Sequence, residues 1–555
     1  MSLPLRLACS AIRIPIVIVI VIVIVHSAPA QSRVMLAGGH LPVCTSMSAT
    51  QCARPVTWPD HALGGHRFRI DTDSLRRWVE TVADADDEPM ARQWLELLVH
   101  LRDDDGPWRE RGELTRLIRD ARLQFPDDDK SDILGEALYQ GADDQQWMRL
   151  LDHFQAPVAD RREVVRLADS RSDDAIAVFE RFVAMAAAVS DRHKPVIAVS
   201  TASSRDPYDA LDFYLQVFEQ AGAEVVWLPL DAAVRRAREA DQCDNLAAFQ
   251  ATELGSHQRQ RVWPEAFQRQ LEFCQDRDAG VALIDRIDGL FLNGGDQWLT
   301  LHAFRHPDGS PTPELERILA RLEGDALVLG GTSAGAAVQS GPAMISNGGN
   351  RSALLSGATA AAPPPRGCQR SGRCPGDLDG ESLTYHPAGG LGSVPFAIVD
   401  THFSERQRQL RLSRLLADSG QRFGIGVDET TALVISPLAA NRFQLEVVGK
   451  AAAWLFDTSS DHQARVHRLS SGATLAFDFD AGPPASPEPA STDLSCRTFD
   501  WSTSFNELMN EASGDEVWRW CLTPAPGREF ELTWRAVPSA VTGIAIFDVV
   551  LESLD

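Results

Sequence analysis

Gly331-Thr332-Ser333-Ala334-Gly335 has the form G-x-S-x-G, preceded by the apolar run Ala326 to Leu329 and followed by the helix-compatible stretch Ala336 to Ser340. A serine nucleophile on a sharp strand-to-helix turn needs small neighbours, because the turn brings backbone close on both sides while the hydroxyl projects into a cleft. The helix start also offers N–H groups to a developing oxyanion. Ser333 is therefore the candidate nucleophile. Such a serine needs a base, and the base needs an acid to orient it. Asp400-Thr401-His402-Phe403 follows the apolar run Phe396 to Val399, and His402 is the best-placed base among the 14 histidines. The charged helix expected next puts Arg406 four residues on and on the same face, with Arg408, Arg411 and Arg414 widening a basic surface. Gly424-Ile425-Gly426-Val427 is a further strand ending in carboxylates, and either Asp428 or Glu429 could orient the imidazole.

These residues must be held by strands and helices, and the sequence supplies them in alternation. Val34 to Ala37 reads as a short buried strand ending in Gly38-Gly39. Val196 to Val199, the helical period of Tyr208 to Ala221, and the strand Ala223 to Leu228 make a βαβ unit. Leu290 to Leu292, a helix near Pro313 to Leu322, Ala326 to Leu329 before Gly330-Gly331, and Phe396 to Val399 continue the pattern. The expected fold class is α/β, a doubly wound, mostly parallel sheet with helices on both faces. Sites in such sheets lie at the carboxyl ends of strands.

Segments outside this alternation set the domain plan. Residues 1–30 read as a signal peptide, with Arg6 and Arg13 before the apolar run Ile16 to Val25 and Ala28-Pro29-Ala30 after it. The run is too short for a spanning helix, which needs about 20 residues, so a periplasmic or secreted chain with no membrane span after cleavage is expected. Residues 31–52 carry the first core strand. Residues 53–173 form a helical insertion, where apolar residues such as Trp94, Leu97, Leu98 and Leu101 recur between acidic runs such as Asp103 to Asp105. The α/β core spans 174–480, interrupted by a Gly-, Pro- and Ala-rich loop at 356–392. A linker at 481–491 leads to a small β-rich C-terminal extension at 492–555.

Composition narrows the function further. A net charge of -24, from 53 basic and 77 acidic residues, repels a phosphate backbone and argues against nucleic acid as a partner. Of nine cysteines, Cys9 leaves with the signal. The rest fall as neighbours, Cys44 with Cys52, Cys243 with Cys274, Cys368 with Cys374 and Cys496 with Cys521, and an even set suits an oxidising compartment. No cysteine or histidine cluster has metal-ligand spacing, and no metal or organic cofactor is expected.

Three blocks in one order resemble the cyanophycinase branch of the peptidase E family of serine peptidases. They are Gly331-Thr332-Ser333-Ala334-Gly335-Ala336, the block Asp400-Thr401-His402-Phe403 with Arg406, Arg408, Arg411 and Leu412, and Gly424-Ile425-Gly426-Val427-Asp428-Glu429-Thr430-Thr431-Ala432. Phe291-Leu292-Asn293-Gly294-Gly295-Asp296-Gln297 supports them. The resemblance implies a core similar to class I glutamine amidotransferases, with Ser333 as nucleophile, His402 as general base and Glu429 as orienting acid. It implies an oxyanion hole from the N–H groups of Ala334 and Gly295, and a substrate pocket of Gln297, Asp400, Arg406, Arg408 and Arg411. The implied reaction is exopeptidase release of β-aspartyl-arginine dipeptides from cyanophycin, a polyaspartate with arginine in isopeptide linkage to its side chains, or cleavage of related aspartyl peptides. Thr401 stands where that branch carries a glutamine. A homodimer is compatible with the sequence. Two rival functions are an α/β-hydrolase-type esterase, which would need His462 or His467 as base to restore the order serine, acid, histidine, and a catalytically silent polymer-binding protein.

Overall fold

The computed structural model describes residues 33–82, 88–124, 132–158, 160–460, 463–482, 497–498, 517–525, 528–537, 539 and 541–553. The expected signal peptide, nearly all of the linker, His462 and Cys496 lie outside the described residues.

Five short apolar strands lie parallel at the centre of the first sheet: β1 (Val34–Ala37), β2 (Val196–Ser200), β3 (Glu224–Leu228), β4 (Gly289–Leu292) and β5 (Val328–Thr332). Their spatial order is β3, β2, β4, β5, β1. Thr431–Ala439, Arg442–Gly449 and Thr474–Asp478 then continue the sheet beyond β1 as antiparallel strands. Alternate side chains of the parallel strands enter opposite layers, as period 2 requires. Ile197, Val199, Phe291 and Val328 pack with the helices Asp173–Val189 and Leu211–Gln220. Ala198, Leu290, Leu292 and Leu329 pack with Ala232–Glu239 and Pro313–Glu323 on the other face. The doubly wound expectation describes this part of the molecule.

The second sheet departs from that expectation. Strands β6 (Ile398–Thr401) and β7 (Phe423–Val427) are parallel to each other but do not join the first sheet. Instead β7 pairs antiparallel with Ala452–Ser460, which pairs with Gln463–Ser470. The C-terminal strands Ile544–Ser553, Arg528–Val537 and Val517–Ala525 add on in turn, so the C-terminal extension lengthens an existing sheet. A shared apolar layer joins the two sheets: Leu36 of β1 meets Val399, Ile425 and Val427 of the second sheet. The chain crosses between them in three residues, Asp428-Glu429-Thr430, from β7 into Thr431–Ala439.

Two local boundaries also differ. Gly330 and Gly331, read as a turn, are paired inside β5 against Met35 and Leu36. Glycine is needed there because a Cβ on Gly330 would lie 2.5 Å from the Phe182 ring. The charged helix, α2 (Gln409–Ser419), begins after Arg406 and Arg408, so His402 and Arg406 do not share a helical face. Positive φ at His402 (48°) and Gln407 (51°) breaks a longer helix.

The helical insertion forms helices from Thr72 onward, ending with α1 (Asp144–Phe154), around its own apolar cluster of Trp78, Trp94, Leu97 and Phe154. Disulfides join Cys44 to Cys52, Cys243 to Cys274 and Cys368 to Cys374. No described helix is long and apolar enough to cross a membrane.

Candidate active site

Ser333 sits where β5 turns into the short helix Ala334–Ala337, with φ 53° and ψ -116°. A non-glycine residue in this half of backbone space is strained, and such strain persists only where its surroundings fix it. The Ser333 N–H donates to the Ala37 carbonyl at 2.9 Å, tying the turn to β1. Gly335 allows it to be tight, since a Cβ there would lie 2.3 Å from the Leu292 carbonyl oxygen.

His402 follows β6, and its Nε2 lies 2.7 Å from Ser333 Oγ. Its Nδ1 lies 2.6 Å from Glu429 Oε1. A carboxylate can only accept, so Nδ1 carries the proton and Nε2 is left to accept from the serine hydroxyl. The two acids point in different directions. Asp428 is fully buried and accepts from the Ser404 and Ala452 N–H groups and from Trp454 Nε1, away from the imidazole. Burial pushes the His402 imidazole below its ordinary value; Glu429 pulls it up, and Arg406 and Arg408 push it further down. The ring is thus kept neutral and able to take a proton near pH 7.

Backbone just after β1 completes this part of the site. The His402 N–H donates to the Gly38 carbonyl at 2.8 Å, and the Thr430 N–H donates to that of Gly39 at 2.9 Å. The N–H groups of Ala334 and Gly295 border the same cleft as Ser333, and no described residue accepts from them. Gly295 is seated by its neighbours: the Asp296 N–H donates to the Ser203 carbonyl at 2.8 Å, and Asn293 Oδ1 accepts from the Ser203 N–H at 3.0 Å.

The cleft has a volume of about 1440 Å³ and takes in Gln297, Asp400, Thr401, Arg406, Arg408 and Arg411. Their states differ. Arg411 spends its guanidinium on Asp400, with Nε and Nη2 donating at 2.8 and 2.6 Å, and Asp400 is only 1% exposed. Arg408 donates to the Thr401 carbonyl at 2.7 Å and lies 3.4 Å from Asp400; burial and the neighbouring Arg411 push its guanidinium down to about 9. Arg406 is exposed and forms no ion pair with a described residue. Gln297 donates from Nε2 to the Ile345 carbonyl at 2.8 Å.

The far wall was not visible in the sequence. His66, Arg149 and Asp152 of the helical insertion line it. Asp152, 2% exposed, accepts from Arg205 at 2.7 and 2.9 Å and from Arg259 at 3.1 Å, joining the insertion to the loop after β2. Helical periodicity marks the buried face of α1, but nothing in it marks Asp152 as a partner of arginines more than 50 residues away. Among the described residues no group of three or more His, Cys, Asp or Glu is placed to hold a metal ion. His467, the alternative base, is half-buried against Phe477 with ring centroids 5.6 Å apart and does not line the cleft.

No family model matches the chain. Among curated proteins it is 30% identical over 275 residues to the cyanophycinases of Trichormus variabilis and of a Nostoc species, covering 49% of this chain and 67% of each of theirs. It is 29% identical over 262 residues to the cyanophycinase of Geminocystis herdmanii, covering 47% and 69%. A solved peptidase from an acI-B1 Actinobacterium is 18% identical and covers 54% of this chain and 89% of its own, with a TM-score of 0.31, too low to carry an argument. A serine on a strand-to-helix turn in an α/β fold, in a chain with these relatives, is that of a serine-type peptidase. The chain belongs to the cyanophycinase family.

Proposed function

We propose that the chain is an exported exopeptidase that hydrolyses cyanophycin or related aspartyl peptides, releasing β-aspartyl-arginine dipeptides. The observation that carries this reading is the hydrogen-bonded line Ser333 Oγ, His402 Nε2, His402 Nδ1, Glu429 Oε1. His402 takes the Ser333 proton as Oγ attacks the scissile carbonyl carbon, and Glu429 stabilises the imidazolium that forms. The N–H groups of Gly295 and Ala334 receive the oxyanion. As the tetrahedral intermediate collapses, the carbon–nitrogen bond breaks and His402 returns the proton to the leaving amine. Water then attacks the acyl-enzyme by the same route and frees Ser333.

Arg406 and Arg408 suit a substrate carboxylate, since a guanidinium can hold one by two parallel bonds. The arrangement of core and nucleophile also fits a kinship with class I glutamine amidotransferases. Export to the periplasm or beyond agrees with the disulfides Cys44–Cys52, Cys243–Cys274 and Cys368–Cys374 among the described residues, since such bonds persist in oxidising compartments.

Mass spectrometry of products from cyanophycin and a panel of aspartyl peptides tests this reading, with the mature chain and its Ser333→Ala variant in parallel. Aspartyl-arginine dipeptides should form with the parent chain, and the variant should be slower by about 10⁶-fold, the typical cost of removing a serine nucleophile. Absence of product from every substrate would overturn it.

A further inference from the structure

Arg366 belongs to the inserted loop, yet it reaches the same cleft as Ser333 and is exposed there. Its backbone is fixed from both sides. The Asp144 N–H, at the start of α1, donates to the Arg366 carbonyl at 3.2 Å. Two residues further on, Cys368 donates from its N–H to the Pro365 carbonyl at 3.0 Å and is bonded to Cys374. Ser371 Oγ and Arg373 Nη1 both donate to Asp143 Oδ2, at 3.0 and 3.1 Å, seating the disulfide-closed turn on the helical insertion. The run Pro363-Pro364-Pro365 restricts the approach to Arg366 still further.

The guanidinium at the end of this fixed segment forms no hydrogen bond or ion pair with a described residue. It is near enough to Arg408 to disfavour that cation and near enough to Asp296 to favour its carboxylate. Two guanidiniums, those of Arg366 and Arg406, therefore face one cleft without a carboxylate of their own, while the Asp400 carboxylate is taken by Arg411. Crowding cations is unfavourable until an anion enters between them. The cleft, about 1440 Å³, also exceeds the roughly 300–1,000 Å³ of small-ligand pockets, so more than one residue of a peptide fits within it.

We infer that Arg366 is a specificity-determining residue that binds a second carboxylate of the substrate, so that the cleft selects acidic peptides carrying at least two carboxylates. This rests on the proposed function and sharpens it: the inserted loop, seated on the helical insertion, adds a carboxylate subsite to the cleft that holds Ser333.

The test compares an aspartyl peptide having a free C-terminal carboxylate with its C-terminal amide. Binding is read by isothermal titration calorimetry in the Ser333→Ala background, with Arg366 intact, Arg366→Gln or Arg366→Lys. Affinity for the acid should fall about tenfold in Arg366→Gln, the scale of one charge-assisted contact. Affinity for the amide should stay within twofold, and Arg366→Lys should recover most of the loss. In turnover by chains with Ser333 present, Arg366→Gln should raise KM by a similar factor with little change in kcat. Equal losses for acid and amide, no loss for the acid, or binding of neither peptide to the Ser333→Ala chain would each overturn the inference. Loss of product formation in the Ser333→Ala chain tests the parent reading separately, so the two fail independently.

Discussion

The α-carbon of Gly39 faces the imidazole of His402 so closely that a Cβ built on it would lie 2.3 Å from Cε1 and 2.5 Å from Nε2. The glycine has φ 108°, which side chains rarely adopt. Gly39→Ala should therefore move the ring rather than unfold the chain. Activity should fall at least a hundredfold with the melting temperature lowered by only a few degrees; a variant retaining full kcat would show that the ring does not need its observed seat.

Glu429 and Asp428 should separate cleanly on substitution. Glu429→Gln keeps the shape but no longer fixes the imidazole tautomer, and kcat should drop by about 10⁴. Asp428→Asn must turn its NH2 either towards the Ser404 and Trp454 N–H groups or towards that of Ala452, and should cost roughly 1–3 kcal/mol of stability. Steady-state kinetics beside denaturant unfolding distinguishes the two effects.

The acid limb of the kcat/KM profile should lie below pH 6.5, because His402 must be neutral and burial, with Arg406 and Arg408, lowers its pKa. Removing one of those cations raises it. Arg406→Gln should move the limb to higher pH, and an unmoved limb would show that another group governs it.

Glu163, buried beside Thr45, has its carboxyl pushed up by burial to about 7. A folded-state pKa above the unfolded one means that stability is fully present below the unfolded value and is lost as pH rises through about 7. Glu163→Gln removes that loss. The variant should gain up to roughly 3 kcal/mol relative to the parent chain between pH 5 and pH 8, measured by urea unfolding at both values.

Asp152 holds Arg205 and Arg259 at the seam between the helical insertion and the core. Asp152→Ala leaves the buried Arg259 and the half-buried Arg205 without it and should cost about 3–5 kcal/mol. Protease sensitivity of the insertion should rise with the loss.

Much of the candidate site was legible because chemistry and backbone demand the same residues. Gly331 and Gly335 flank Ser333 because the turn is tight, and His402 and Asp428-Glu429 stand at strand ends where the backbone turns. Sheet membership was not legible: β6 and β7 are short apolar runs, and nothing local in such a run says that it pairs with Ala452–Ser460 instead of lying beside β5. Charge partners were equally hidden. Arg408 and Arg411 read as part of a free basic surface, whereas Arg411 is paired with Asp400 once α2 packs back on the second sheet. The helical insertion announced its own core through Trp94 and Leu97 but not the cleft wall it supplies.

The crossing at Asp428-Glu429-Thr430 places the acid between two sheets, while Ser333 stands on one and His402 follows a strand of the other. No half-assembled form of the chain can then possess a reactive serine. Labelling by a serine-directed phosphonate becomes a count of fully assembled molecules: its stoichiometry during refolding should track the docking of the two sheets and lag behind the recovery of secondary structure within either one.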